Sequence, residues 1–248
     1  MRILILGGTS EASALARRVR DMPDVEATLS LAGRTERPAV APIPARTGGF
    51  GGVAGFVAYL RSEKIAAVVD ATHAFARQIS ASAVEACAVA KIPLVGFTRP
   101  PWSAVEGDRW TTVDDVEAAA DAIGVVARRV FLTVGRLRLG AFAAAPQHDY
   151  LVRTIDPPAG IEALPTHRSI LARGPFSVED ELTLMQSQRI EVLVSKNSGG
   201  SATYPKIEAA RRLHLPVVMI DRPPAISVTE HTDLAAVVDW IEAHRPSP

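Results

Sequence analysis

Arg2-Ile3-Leu4-Ile5-Leu6-Gly7-Gly8-Thr9-Ser10-Glu11-Ala12 passes from an apolar β-type run through paired glycines into a helix start, and its reading decides the fold. Glycine lets the backbone approach a phosphate, and a helix N-terminus offers unpaired N–H donors. The segment therefore reads as the first strand-turn-helix of a dinucleotide-binding α/β fold. Against the G-x-G-x-x-G/A pattern, Gly7 and Ala12 fit the first and last places, while Thr9 stands in place of the middle glycine. Gly7, Gly8, Thr9, Ser10, Glu11 and Ala12 are the candidate cofactor-binding residues of this turn. The alternative is an ordinary tight turn capped by Thr9 or Ser10.

Outward from that turn, short apolar runs alternate with alanine-rich stretches of helical length, the pattern of a parallel sheet covered by helices. Strands are expected near Ile3 to Leu6, Ala27 to Leu31, Ala67 to Asp70, Leu94 to Phe97, Val130 to Val134, Tyr150 to Arg153, Val192 to Ser195 and Val217 to Ile220. Helices are expected near Glu11 to Asp21, Val53 to Ser62, Ile79 to Lys91, Val113 to Ile123, Ser177 to Gln188, Thr203 to Leu213 and Leu234 to Ala243. The Pro- and Trp-rich stretch Arg99-Pro100-Pro101-Trp102 through Trp110 breaks the rhythm and marks a boundary. The expected fold class is α/β, with two Rossmann-like lobes, mainly parallel sheets and an interlobe cleft. The expected division is 1–108, binding cofactor, and 109–248, contributing to substrate binding.

A chain of 248 residues, 48% of them hydrophobic, can bury a sizeable core, and a formal net charge of +0 provides no global field toward nucleic acid or an anionic membrane. Cys87 is the one cysteine, which excludes an internal disulfide and a cysteine-based zinc cluster; it reads as a buried structural thiol in a reducing compartment. The opening apolar run is too short for a signal peptide and no stretch reaches membrane-spanning length, so a cytoplasmic location is expected. No metal site is expected. The oligomeric state is not written in the sequence.

The end of the second strand bears on cofactor choice, since NAD sites place a carboxylate there and NADP sites an arginine. Here the chain runs Leu31-Ala32-Gly33-Arg34-Thr35, and Glu26 stands too early. NADPH is the expected cofactor, with Arg34, Thr35 and also Arg37 on its 2′-phosphate. A plain surface arginine is the alternative at position 34.

The third strand runs into Asp70-Ala71-Thr72-His73, at the carboxyl edge where α/β ligands bind. Asp70, Ala71 and Thr72 are candidate cofactor contacts and His73 a candidate proton donor or substrate orienter; a turn-capping aspartate and a structural histidine are the alternatives. Farther on, Lys196-Asn197-Ser198-Gly199-Gly200 followed by Lys206 forms a second glycine-rich turn with fixed cations, a candidate anion site. Its alternative is a well-capped turn with lysines in water. No Gly-Lys-Ser or Gly-Lys-Thr triplet supports an ATPase.

GGTSEA at the start, GR after the second strand, DATHAFARQIS, RPPW with a later tryptophan, LTVGR, and SKNSGG with a following lysine together resemble the precorrin-6A reductases over nearly the whole chain. Ala74 departs from the proline of the family's DATHP motif. The resemblance implies NADPH-dependent reduction of one double bond in a carboxylated tetrapyrrole, precorrin-6A giving precorrin-6B, on the route to cobalamin. It further implies that His73, Arg99, Gly135, Arg136, Lys196, Asn197, Ser198, Gly199, Gly200 and Lys206 contact substrate. Arg153 and Arg173 are further candidates for its acid arms. Hydride transfer of this kind needs no protein nucleophile.

Alternatives stay open: a cobalt-precorrin-6A reductase using NADH, a protein binding NADPH without turnover, and a Rossmann reductase or epimerase of small sugars or hydroxy acids. The last lacks the Tyr-x-x-x-Lys pair, because Tyr204 and Lys206 have the wrong spacing and Tyr59 is followed at that offset by Glu63.

Overall fold

The computed structural model describes residues 1–33, 40–158, 160–224, 226 and 228–245, with the backbone alone for Leu137. β1 (Arg2–Leu6) is an unbroken apolar run because both its faces are covered. Ile3 and Ile5 pack with Leu15, Ala16 and Val19, whereas Leu4 and Leu6 enter a separate core with Phe56 and Leu60. Complete burial of a side chain such as Leu15 contributes roughly 2 kcal/mol. α1 (Ser10–Arg20) forms because Ala12, Leu15, Ala16 and Val19 recur at helical spacing and are all buried. Glu11 in its first turn and Arg17, Arg18 and Arg20 in its last complement the helix dipole.

In chain order there follow β2 (Glu26–Leu31), β3 (Ala45–Thr47), α2 (Gly52–Ser62), β4 (Ala67–Asp70), α3 (Arg77–Ala90) and β5 (Leu94–Phe97). Next come β6 (Trp110–Val113), α4 (Val116–Ala122), β7 (Arg129–Thr133), a 3-10 stretch (Arg136–Ala144), β8 (Asp149–Thr154) and β9 (His167–Leu171). The chain ends with α5 (Val178–Ser187), β10 (Val192–Lys196), α6 (Pro205–Arg212), β11 (Val217–Ile220), β12 (Glu230–His231) and α7 (Leu234–Ala243). These strands build two six-stranded sheets, ordered β12-β5-β4-β1-β2-β3 and β6-β11-β10-β7-β8-β9. Every pairing among the described residues is parallel. Each sheet has the doubly wound order of a Rossmann fold, so the α/β class with two Rossmann-like lobes is what the chain adopts.

The division differs from the expected one at residues 108 and 109. One compact unit is Met1–Pro100 with Pro224–Pro248, and the other is Pro101–Pro223. The chain leaves the first unit after β5 and adds β6 beside β11; it returns after β11 and adds β12 beside β5. Gly96 N–H donates to Thr229 O (2.8 Å) and Thr98 N–H to His231 O (3.0 Å), and α7 then buries Val237, Val238 and Ile241 in the core that holds α1. That return rests on pairing between distant segments, which local patterning does not reveal.

The helix expected from Val113 begins later, because Thr111 and Thr112 continue β6 and Asp115 caps α4 by accepting from Ala118 N–H (2.7 Å). β3, β6, β9 and β12 were not expected: they are short edge strands without a full apolar run. No helix among the described residues is long and apolar enough to cross a membrane.

Candidate functional site

In the first sheet the strand order reverses between β1 and β4, where α/β sheets open a crevice at their carboxyl edge. Leu6 and Asp70 are register partners at the two strand ends, so the turns that follow them are neighbours. Gly7 N–H donates to Ser30 O (2.9 Å). Gly8 has φ +114°, and nothing lies within 4 Å of the place a Cβ would occupy. Open space above a glycine in this conformation is what a phosphate needs to approach the backbone. Thr9 caps α1, its hydroxyl accepting from Ala12 N–H (3.1 Å) and donating to Ala71 O (2.7 Å). One side chain thus joins both turns.

Asp70 Oδ1 accepts from Thr72 N–H (3.0 Å) and from the Thr72 hydroxyl (2.7 Å), which lies 3.2 Å from Ser80 Oγ. The aspartate therefore shapes its own turn. His73 is half-buried, and its Nδ1 accepts from Phe75 N–H (3.3 Å). A neutral imidazole held this way carries its proton on Nε2.

Arg99 stands at this same turn: its Nη1 lies 3.5 Å from Ser10 Oγ and 3.5 Å from Glu11 Oε2, while Ser10 Oγ donates to Glu11 Oε2 (3.0 Å). Arg34, Thr35 and Arg37 lie outside the described residues. Near the end of β2, Arg46 donates to Ser30 Oγ (2.8 Å), Gly48 O (3.0 Å) and Gly49 O (3.0 Å), and its guanidinium lies 4.1 Å from the centre of the Phe50 ring. Arg46 was missed in the sequence because β3 itself was missed. Cys87 is buried, and burial, helped by the charge of Asp70, pushes its thiol up to about 12. It is a structural thiol, as expected.

The second sheet reverses between β7 and β10. After β7, Gly135 has φ +83° and leads into Arg136, the first residue of the 3-10 stretch. After β10, the turn from Lys196 is tied down by its carbonyls. Arg222 donates from Nε to Asn197 O (3.0 Å) and from Nη2 to Ser198 O (3.0 Å), and Trp102 Nε1 donates to Gly200 O (2.8 Å). Asn197 is buried, its amide accepting from Trp102 N–H (2.7 Å) and donating to Trp102 O (3.0 Å). Gly199 and Gly200 both have positive φ (69° and 73°), where glycine is needed. Lys206 is 4% exposed, with its ammonium 5.2 Å from the Trp102 ring centre. Lys196, Ser198, Gly199 and Gly200 thus form one turn, whereas the side chains of Asn197 and Lys206 point into the structure that supports it.

Arg153 is buried against Phe131 and Phe176, 2.7 Å from Glu181 Oε1. Burial pushes its guanidinium below the ordinary value and Glu181 opposes that shift. Arg173 is exposed. Trp102 and Arg222 went unassigned in the sequence. The available signal was a recurrence: Arg99-Pro100-Pro101 follows β5 and Arg222-Pro223-Pro224 follows β11.

Residues 2–242 match the family Precorrin-6x reductase CbiJ/CobK. Precorrin-6A reductase of Rhodobacter capsulatus is 48% identical over 100% of this chain and 98% of its own length. Cobalt-precorrin-6A reductase of Priestia megaterium is 30% identical over 95% of this chain and 96% of its own. A solved structure described as CobK precorrin-6A reductase superposes with a TM-score of 0.94 at 48% identity, covering 100% of this chain and 98% of that one. A match of this extent, on a chain with both turns described above, means that the protein belongs to the precorrin-6x reductase family.

Proposed function

We propose that this chain reduces precorrin-6A to precorrin-6B with NADPH in cobalamin biosynthesis. The observation that carries the reading is the joining of the Gly7–Gly8 turn to the Ala71 turn through Thr9, at the strand-order reversal of a chain in this family. The residues fit a dinucleotide: open space over Gly8, the N-terminus of α1, and no carboxylate along Leu31-Ala32-Gly33. Gly7 through Ala12 would hold the pyrophosphate, with Asp70, Ala71 and Thr72 shaping the neighbouring wall. Arg34 and Thr35 are assigned to the 2′-phosphate, and the positive charge of Arg46 near the end of β2 favours the same anion.

Bound NADPH supplies the hydride, so the protein's work is orientation and exclusion of water, and one proton completes the reduction. His73 is assigned to orient the substrate through its Nε2–H, in keeping with the Nδ1 contact to Phe75 N–H; a neutral ring held this way is not an acid, so the proton is assigned to solvent. Gly135, Arg136, Lys196, Ser198, Gly199 and Gly200 are assigned to the substrate's carboxylate arms, and Asn197 and Lys206 to support of that turn. The greater identity to the precorrin-6A enzyme than to the cobalt-precorrin one favours a metal-free macrocycle.

The test mixes purified protein with NADPH and enzymatically generated precorrin-6A, with an NADH control and a cobalt-containing substrate. Loss of reduced-nicotinamide absorbance with a matching change in the tetrapyrrole spectrum is expected for NADPH and the metal-free substrate. NADPH binding without oxidation of either tetrapyrrole overturns the reading.

A further inference from the structure

The Arg-Pro-Pro segments occupy equivalent places. β5 and β11 are each the fifth strand of their sheet, each paired with a sixth strand brought from elsewhere in the chain. Thr98 N–H donates to His231 O (3.0 Å) and Asp221 N–H to Val113 O (2.8 Å), so both fifth strands run one residue further against their sixth-strand partners. An arginine follows each, and the unit boundaries fall between the prolines, at Pro100/Pro101 and Pro223/Pro224. Proline lacks an N–H and holds the preceding residue extended, which ends strand pairing and fixes where that arginine starts.

From equivalent starting points the arginines reach the ligand turn of their own unit. Arg99 lies against Ser10 and Glu11 at the N-terminus of α1, with its side chain 18% exposed. Arg222 holds the carbonyls of Asn197 and Ser198 in the turn after β10. We infer that these two arginines divide the work of ligand binding: Arg99 is a dinucleotide residue, adding its charge beside the pyrophosphate-binding helix start, and Arg222 is a positioning residue for the tetrapyrrole-binding turn. The inference rests on the reading under Proposed function for what each turn binds. It moves Arg99 from substrate to cofactor and adds Arg222, whose guanidinium holds the carbonyls of Asn197 and Ser198. The N–H groups of Asn197 and Ser198 are taken by Ile220 O and Lys196 O, so the amide that a turn so held would turn toward a carboxylate is that of Gly199, opposite Ser198 O in the same peptide plane.

The test is a crossed comparison of Arg99→Ala and Arg222→Ala with the lysine variants, in the full-length protein. Arg99→Ala should weaken NADPH, measured as Kd by nicotinamide fluorescence, about tenfold, the effect of losing one charge-assisted contact. Its KM for precorrin-6A should stay within about twofold of wild type. Arg222→Ala should do the opposite, raising KM for precorrin-6A about tenfold with NADPH Kd unchanged. Lysine should recover part of the loss at position 99, where charge acts, and little at 222, where two directed N–H donors act. Thermal unfolding of all four variants reports folding; a variant with a lowered Tm is compared at a temperature where it is folded. Parallel losses of both ligands in each variant, or no loss in either, overturn the inference. Should wild type turn over neither tetrapyrrole, the functional reading alone falls, because the NADPH Kd of Arg99→Ala set against that of Arg222→Ala still decides the division.

Discussion

The Thr9 hydroxyl donates to the Ala71 carbonyl at 2.7 Å while accepting from Ala12 N–H, so the residue that replaces the middle glycine of the dinucleotide pattern ties the β1 turn to the β4 turn. A glycine there would leave both contacts unmade. Thr9→Val keeps the shape and removes the hydroxyl; it should cost about 1 kcal/mol of stability through the lost cap and loosen NADPH binding. Thr9→Ser should preserve both. Urea midpoints and fluorescence titration check this, and equal behaviour of the valine and serine variants would refute it.

Arg34→Ala should weaken NADPH at least about tenfold more than NADH, since only NADPH carries the 2′-phosphate assigned to that side chain. Paired titrations with both nucleotides measure the ratio. Equal losses would remove Arg34 from the phosphate and leave Arg46 as the cation at that edge.

The Arg153–Glu181 pair is more than nine-tenths buried on both sides and closes to 2.7 Å. Glu181→Ala would leave a guanidinium without compensation against Phe131 and Phe176, a loss of about 3 to 5 kcal/mol. The double change Arg153→Met, Glu181→Leu should recover most of it, as an apolar replacement of a whole buried pair often does. Urea unfolding of the single and double variants is the measurement, and a double variant no more stable than Glu181→Ala counts against the argument.

His148 is buried, and its Nδ1 accepts from Arg128 N–H (3.2 Å). Burial, with a smaller contribution from the Arg128 charge, holds the imidazole below its ordinary value although a contact with the Gly124 carbonyl opposes the shift. The unfolded chain therefore takes up this proton first as pH falls. The stability that His148 contributes is whole above the unfolded value of about 6.5 and drains away as pH drops from there toward the lower folded value. Unfolding midpoints between neutral and mildly acidic pH should fall less steeply in His148→Gln than in wild type; identical slopes would show that His148 is not the group responsible.

Local pattern was enough wherever one segment carried its own signal. β1 reads as buried on both faces because Ile3 to Leu6 are continuously apolar, α1 because Ala12, Leu15, Ala16 and Val19 repeat at helical spacing, and the turn between them because glycines and a cap residue stand in order. The turns at Asp70 and Lys196 were legible for the same reason. β3, β6, β9 and β12 were not, since edge strands of two to five residues are held by a neighbour's backbone rather than by their own side chains.

Chemistry of the turns could likewise be read as residue types but not as orientations. Asn197 and Lys206 were expected as ligand contacts, and only packing shows that the amide of one bonds the Trp102 backbone and the ammonium of the other lies 5.2 Å from the Trp102 ring centre. Arg99 was expected to contact substrate, and its place beside Ser10 and Glu11 at the start of α1 was not legible in the sequence. The amino-acid order alone was sufficient for the α/β class and the positions of the ligand turns, because hydrophobic period and turn chemistry act over a few residues. Folding in three dimensions decided which strand completes which sheet and where each arginine ends, because those outcomes depend on hydrogen bonds between segments more than a hundred residues apart, such as Gly96 to Thr229 and Asp221 to Val113.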